Sequence, residues 1–243
     1  MQVLIGIIAV LFMIQDEDPV SEAREYLRTD YQRAVEVSTD ILENDENNID
    51  ALWIKSVAYS NIANFEAADD EFEELFEKAD ALADRALEIN NDYADAHYAK
   101  AVALGRRAEM AGAREGVRLS REIKSHADTT LELDPEHGGA WYINGMLLYR
   151  VANLTRTERF AANALFGGFP FEASNEKAID ALKNSIKYSP DHIYYHLGLA
   201  RALITDDQTD EARRVLQKAR DLEPVRPQDP EHLQTVEDKL RDL

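Results

Sequence analysis

The sequence predicts an all-α solenoid of stacked antiparallel helix pairs, with some helices longer than usual and a helix capping the C-terminal end. Three observations predict it. Glycine (10) and proline (7) are sparse among 243 residues, while Ala, Leu, Glu and Arg are abundant, a composition that favours helices. A helix-ending phrase recurs: LENDENNIDALW, LEINNDYADAHY, LELDPEHGGAWY, IKYSPDHIYYHL and ARDLEP place Glu46, Asn91, Pro135, Pro190 and Pro224 in one slot, at spacings of 45, 44, 55 and 34 residues. Other columns of the same alignment agree. Ten residues past the first four anchors stand Ser56, Ala101, Gly145 and Ala200, all small. Twelve residues before the five anchors stand Ala34, Ala79, Ile123, Ala178 and Ala212.

The elements follow in order. Val3 to Ile14 is an unbroken apolar run ending at Gln15-Asp16-Glu17-Asp18-Pro19. As a helix it would span roughly 18 Å, short of the ~30 Å hydrocarbon core but long enough for the apolar region of a secretory signal. No Lys or Arg precedes it and no A-x-A site follows. Residues 1–15 are therefore expected to export the chain or attach it to a membrane, a buried N-terminal helix and a misassigned start being the alternatives. Residues 16–226 form the repeat domain, about four and a half helix pairs. Tyr31 and Ala34 open the first B helix. Slots at +6, +10 and +13 fall at i, i+4 and i+7, so Leu52, Ser56 and Tyr59, and their counterparts in later units, share one face of each A helix. The second and third units exceed 34 residues by 11 and 10, close to three helical turns, which predicts long B helices over Phe65–Leu82 and Ala113–Leu131. The fourth unit exceeds it by 21, in an insertion at about 153–172. Pro224, Pro227 and Pro230 separate the array from residues 227–243, the predicted capping helix.

The unit after Pro190 carries Ala200, Leu203, Ala212, Leu216, Ala219 and Pro224 at the spacing of the tetratricopeptide repeat, which it resembles. Trp141, Tyr142 and Gly145 are similar to the Trp-Tyr…Gly of that consensus. The resemblance implies a right-handed superhelical solenoid whose A helices line a concave face. A narrower resemblance lies further along. Val151-Ala152-Asn153, Glu158-Arg159, Ala164-Leu165-Phe166-Gly167, Pro170 and Ala173, with Ile123-Lys124…Leu131-Glu132-Leu133-Asp134-Pro135 and the ending Leu222-Glu223-Pro224-Val225…Asp229, resemble the regulator-of-microtubule-dynamics family over roughly residues 95–243. That family's eukaryotic members are associated with microtubules and with organelle membranes through an N-terminal anchor. The cytoskeletal role is not carried over, because a chain of net charge −20 would be repelled by an acidic filament.

Charge and motifs bound the function. A net charge of −20 excludes nucleic acid as the expected partner. Acid excess with 18 Arg and only 9 Lys fits either a halophilic prokaryotic chain or an ordinary acidic protein of a GC-rich genome. With no cysteine, disulfides, thiolate metal sites and Cys nucleophiles are excluded. No dinucleotide-binding, Walker A, zinc-protease or nucleophile-elbow pattern occurs, and acidic pairs such as Asp69-Asp70 and Glu73-Glu74 read as a solvated helix face, so no catalysis and no cofactor is expected. Asp40–Asp95 holds 17 acidic and 3 basic residues, whereas Lys100–Lys124 holds 7 basic and 3 acidic ones. The basic stretch either binds an anion or pairs with the neighbouring acidic helix. His192 and His196 are four apart, as in a two-histidine metal pair, but without a further ligand cluster they read as packing.

The expected function is a non-enzymatic scaffold, exported or membrane-attached, that binds a protein or peptide partner in the concave groove. Tyr98, Tyr142, Asn144, Tyr149 and Tyr195 are expected to project from A helices into it, with Arg156 and Arg159 at the insertion. The alternative is a carrier of a lipid or other apolar ligand, held between the long helices and the insertion. There Phe160, Phe166, Phe169 and Phe171 cluster around Gly167-Gly168 and either plug the concave face, line an apolar pocket or simply pack as core.

Overall fold

A computed structural model describes residues 18–66 and 71–243. The apolar run of residues 3–14 and the Asp69-Asp70 pair lie outside the described residues. The described chain folds into helices joined by short turns: α1 (Pro19–Thr29), α2 (Tyr31–Asn44), α3 (Ile49–Phe65), α4 (Phe72–Ile89), α5 (Ala94–Met110), α6 (Ala113–Leu133), α7 (Gly138–Ala152), α8 (Arg156–Phe166), α9 (Asn175–Tyr188), α10 (Ile193–Thr205), α11 (Thr209–Arg220) and α12 (Asp229–Asp242). The pairs α1–α2, α3–α4, α5–α6, α7–α9 and α10–α11 stack in sequence, so the array has five full pairs where about four and a half were expected.

The repeated phrases owe their recurrence to the turns between pairs. Side chains of Asp45, Asn90 and Asp134, each one residue before the anchor, accept from the backbone N–H two residues on at 3.2, 2.9 and 3.0 Å. The same Asx turn thus ends three B helices and re-aims the chain. Asn48 and His137 then cap α3 and α7 by accepting from Ala51 N and Ala140 N.

The small slots lie where A and B helices cross. Ser56 Oγ donates to the Ala79 carbonyl of the partner helix at 2.7 Å. A Cβ on Gly145 would stand 2.6 Å from Leu182 Cγ, so only glycine allows α7 and α9 to meet there. Ala34, Ala79, Ala178 and Ala212 are fully buried at the matching slots. The long helices are α3 (17 residues), α4 (18), α5 (17) and α6 (21). Phe65–Leu82 is corrected: Phe65 closes α3, and the B helix runs from Phe72 to Ile89. Its amphipathic face, with Phe76, Ala79, Ala83 and Ala86 buried, continues to the Asx turn and carries the helix further than expected.

The C-terminal helix α12 packs on α10 and α11, burying Val236 and placing Leu233 and Leu240 against their core. The curl of the array then brings its two ends together. Tyr31 donates from its hydroxyl to Gln228 Oε1 at 2.7 Å in a buried contact. Arg28 pairs with Asp191 at 2.8 Å, and Arg226 lies 3.6 Å from the same carboxylate. Phe65 sets its ring edge-on to Tyr194 and His232, at 6.2 and 5.9 Å. First and last repeats are thereby latched, and the concave face becomes the wall of a chamber.

Candidate functional site

The chamber has a volume of about 1100 Å³. Its wall is built mainly from the inner faces of the A helices α1, α3, α5, α7 and α10, with Tyr31 of α2, Ser120 and Ile123 of α6, Glu158 of α8 and Tyr188 of α9 at its margins and Arg226 and Gln228 beside Tyr31. Aromatic rings dominate it. His192 stacks on Tyr195 at 3.7 Å, Tyr195 on Tyr142 at 4.4 Å, and Tyr142 meets Tyr194 at 5.3 Å. Tyr98 lies against His137 at 4.4 Å. Glycines make room for the rings: a Cβ on Gly139 would stand 2.6 Å from Tyr98, and one on Gly198 would stand 2.7 Å from Tyr142. Each of these two tyrosines thus lies on a glycine of the following A helix, which gives the wall a continuous aromatic surface.

Burial fixes the protonation of these groups. It pushes the phenols of Tyr142 and Tyr195 well above the usual tyrosine range, and it raises Tyr98 as well. Burial, then the charge of Arg226, pulls His192 well below the usual histidine range. The wall therefore holds neutral hydroxyls, Tyr98 beside Tyr195 and Tyr142 beside Tyr194, and a neutral imidazole whose Nδ1 is buried without a partner among the described residues. Asn61 and Asn64 of α3 also face the chamber, and their side-chain amides make no hydrogen bond among the described residues. At one end of the chamber Arg24 bonds Asp50 at 2.6 Å, and Tyr93 and Trp53 donate to the same carboxylate at 2.7 and 3.1 Å.

The residues expected in the groove divide. Tyr98, Tyr142, Tyr149 and Tyr195 line the chamber, and Tyr149 shares a 2.9 Å hydrogen bond with Thr205. Asn144 does not: it is buried on the opposite face of α7, with Nδ2 3.5 Å from Asp128 of α6. Of the alternatives for the insertion, packing as core holds for Phe169 and Phe171. Residues 156–166 form α8, which packs on the B helix α6 and brings Glu158 to the edge of the chamber. Thr155 and Glu158 build a capping box at its start, and Gly167, at φ 76°, supplies the left-handed turn that ends it. Arg159 donates to the Val151 and Ala152 carbonyls, capping α7, and Arg156 is exposed. Phe160 is 71% exposed, Phe166 is half-buried, and Phe169 and Phe171 join the core of Leu104, Leu119, Ile123 and Leu147. A smaller cavity of about 430 Å³ remains beside them, edged by Arg159, Glu172 and Lys177.

The basic stretch is largely consumed by structure. Lys100 pairs with Asp80 and Asp84 of α4 at 2.7 and 2.5 Å, and Arg107 reaches Asp80 at 4.0 Å. Arg118 and Lys124 pair within their own helix. Arg121 donates to the Phe166 and Gly168 carbonyls and holds the end of α8. His196 Nδ1 lies 3.2 Å from the His192 carbonyl, and no group of three or more metal-ligating side chains exists among the described residues.

Sequence reasoning missed Trp53, Asn61, Asn64, Tyr194 and Arg201 in this wall. A signal was present for Trp53: the slot seven past the anchors carries Trp53, Tyr98 and Tyr142. The unit after Pro190 breaks that column with Leu197 and supplies Tyr194 and Tyr195 instead.

Comparison with known proteins places this geometry in a family. The family model described as Regulator of microtubule dynamics protein 1-3 matches residues 19–243. Regulator of microtubule dynamics protein 3 of Rattus norvegicus is 27% identical over 141 residues, which cover 58% of this chain and 30% of the rat protein. Regulator of microtubule dynamics protein 1 of Bos taurus is 27% identical over 172 residues, covering 69% and 52%. The chain thus spans between about a third and a half of the length of these relatives. Among solved structures, a thermophilic TPR protein of Thermus thermophilus superposes with a TM-score of 0.64 at 16% identity, over 92% of this chain and 97% of that one.

Proposed function

The chain belongs to the regulator of microtubule dynamics protein 1-3 family, and from that premise we propose that it is a non-catalytic binding module holding a short segment of a protein partner inside its chamber. The observation that carries this reading is the space of about 1100 Å³ on the inner face of the A helices, slightly larger than a typical small-molecule site. Its chemistry supports a peptide. Neutral tyrosine hydroxyls and the unpartnered amides of Asn61 and Asn64 offer both donors and acceptors, which match the alternating N–H and C=O groups of an extended backbone. Stacked rings offer flat apolar area at low entropic cost. The relatives' names suggest a microtubule role for them; it is not carried over to this chain, whose net charge of −20 opposes the approach of an acidic filament as a whole. In the same reading the apolar run of residues 3–14 exports the domain or attaches it to a membrane.

A carrier of an apolar ligand is the second reading, and Leu27, Val57, Met146 and Leu154 in the chamber wall favour it. Its site shifts from the insertion to the chamber, because the cavity beside Phe169 and Phe171 is small and edged by the Lys177–Glu172 ion pair. Asn64→Trp tests both readings by filling the chamber from a half-buried position. The full chain, purified without detergent from a cell extract, is compared with the variant by native mass spectrometry. A co-purifying peptide or protein lost in the variant supports the first reading. An extra mass removed by organic solvent and lost in the variant supports the second. Bound material retained unchanged by the variant places binding elsewhere and contradicts both.

A further inference from the structure

The chamber wall has the opposite charge balance from the molecule around it. The chain carries 47 acidic and 27 basic residues. Around the chamber, however, stand five arginines: Arg24, Arg28, Arg150, Arg201 and Arg226. Three carboxylates face them, Asp95, Glu136 and Glu158. Three of the arginines are committed, Arg24 to Asp50, and Arg28 and Arg226 to Asp191. Arg150 and Arg201 are not. Among the described residues Arg150 hydrogen-bonds only the Ala108 carbonyl, at 3.4 Å, and it forms no ion pair, although, after the Thr155 hydrogen bonds, its charge helps hold the Glu158 carboxyl below the usual range. The carboxylate nearest in sequence, Glu158, is engaged by the backbone and hydroxyl of Thr155 at 2.8 and 2.7 Å. Arg201 has no hydrogen-bond or ion-pair partner among the described residues, and its charge draws the Tyr142 phenol down against the larger upward push of burial. In a chain so rich in carboxylates, two guanidinium groups facing one aromatic chamber from different helices, α7 and α10, are left for something else.

We propose that the chamber selects an acidic partner segment, whose side-chain carboxylates pair with Arg150 and Arg201 while the tyrosine wall takes its apolar groups. This rests on the chamber being the binding site and adds the charge of what enters. A guanidinium binds a carboxylate through paired charge-assisted hydrogen bonds, which are stronger than neutral ones. The two groups, on α7 and α10, give an acidic segment two guanidinium contacts on one wall. The negative exterior opposes the approach of such a segment, so binding is limited to sequences that reach the cationic wall.

The probes are fluorescein-labelled (Glu-Glu-Tyr)3 with an amidated C-terminus and its (Gln-Gln-Tyr)3 counterpart, added to the full chain and followed by anisotropy. The acidic peptide is expected to bind about tenfold or more tightly than the neutral one, a difference that two charge-assisted contacts readily supply. Arg150→Gln with Arg201→Gln is expected to erase that difference while helical circular dichroism stays unchanged. The comparison is made at one fixed salt concentration, because added salt also screens the repulsion from the acidic exterior. If the two peptides bind equally and Asn64→Trp abolishes both, the charge selection is wrong and the chamber reading stands. If the acidic peptide binds unchanged to the double variant, or neither peptide binds, the inference is overturned.

Discussion

At the scale of the residue, the array depends on a few positions where size or protonation leaves no choice. Gly145, Gly139 and Gly198 each hold a neighbour's side chain closer than a Cβ would permit. The first of these was legible as a small-residue column in the repeat alignment. The other two were not, because the tyrosines that rest on them belong to different repeats. His126 shows the same limit. Its Nδ1 lies 2.9 Å from Nδ1 of His97, whose Nε2 sits 2.8 Å from the Asn91 carbonyl. With Nε2 of His97 donating to that carbonyl, one of the two facing Nδ1 atoms donates to the other. Burial first, then His97 and Lys100, bring His126 down to about 4. The neutral form is thus favoured in the fold, whereas the unfolded chain takes up the proton near pH 6.5. The contribution is fully present above that pH and is lost as pH falls toward 4. After allowing for partial exposure it amounts to about 1–2 kcal/mol. His126→Asn, which keeps a donor and removes the titration, is expected to flatten the stability profile over pH 6.5 to 4 in urea melts. A variant profile parallel to the wild type would refute this.

At the scale of the element, periodicity read from the sequence located the A helices and their partners well. Boundaries followed less well. The B helix of the second unit starts at Phe72 rather than Phe65 because Phe65 completes α3 and turns its ring toward the latch. The insertion was legible only as a set of alternatives, of which core packing holds for Phe169 and Phe171; the capping box of Thr155 and Glu158 and the left-handed Gly167 define a short helix there. Its C-terminal end is held on α6 by Arg121, which no local pattern ties to residues 166 and 168. Arg121→Met removes those bonds and leaves the α8 carbonyls without that donor, at a local cost of about 1–3 kcal/mol. Hydrogen exchange is expected to rise in residues 156–168 and to stay unchanged in α3, α5 and α7. Exchange rising equally in those A helices would show that the insertion is integral to the array.

At the scale of the whole molecule, repeat stacking explains the solenoid, but its closure comes from contacts between residues 163 and 197 positions apart in the chain. No repeat signal predicts them, since each repeat sees only its neighbours. Tyr31 was legible as the start of a helix, not as one half of a latch with Gln228. Closure is what converts an open groove into a chamber, and both the peptide reading and the acidic-segment inference depend on it. The chain has no cysteine, so two introduced ones carry spin labels at unique sites. Exposed Ser21 on α1 and Glu231 on α12 take no part in the latch contacts. The measurement is the distance distribution between these labels by pulsed electron resonance. Closure predicts one narrow, short population that broadens and lengthens when Tyr31→Phe is combined with Arg28→Gln. A broad, long distribution in the unmodified latch would mean an open superhelix, and the chamber, with the functions built on it, would have to be abandoned.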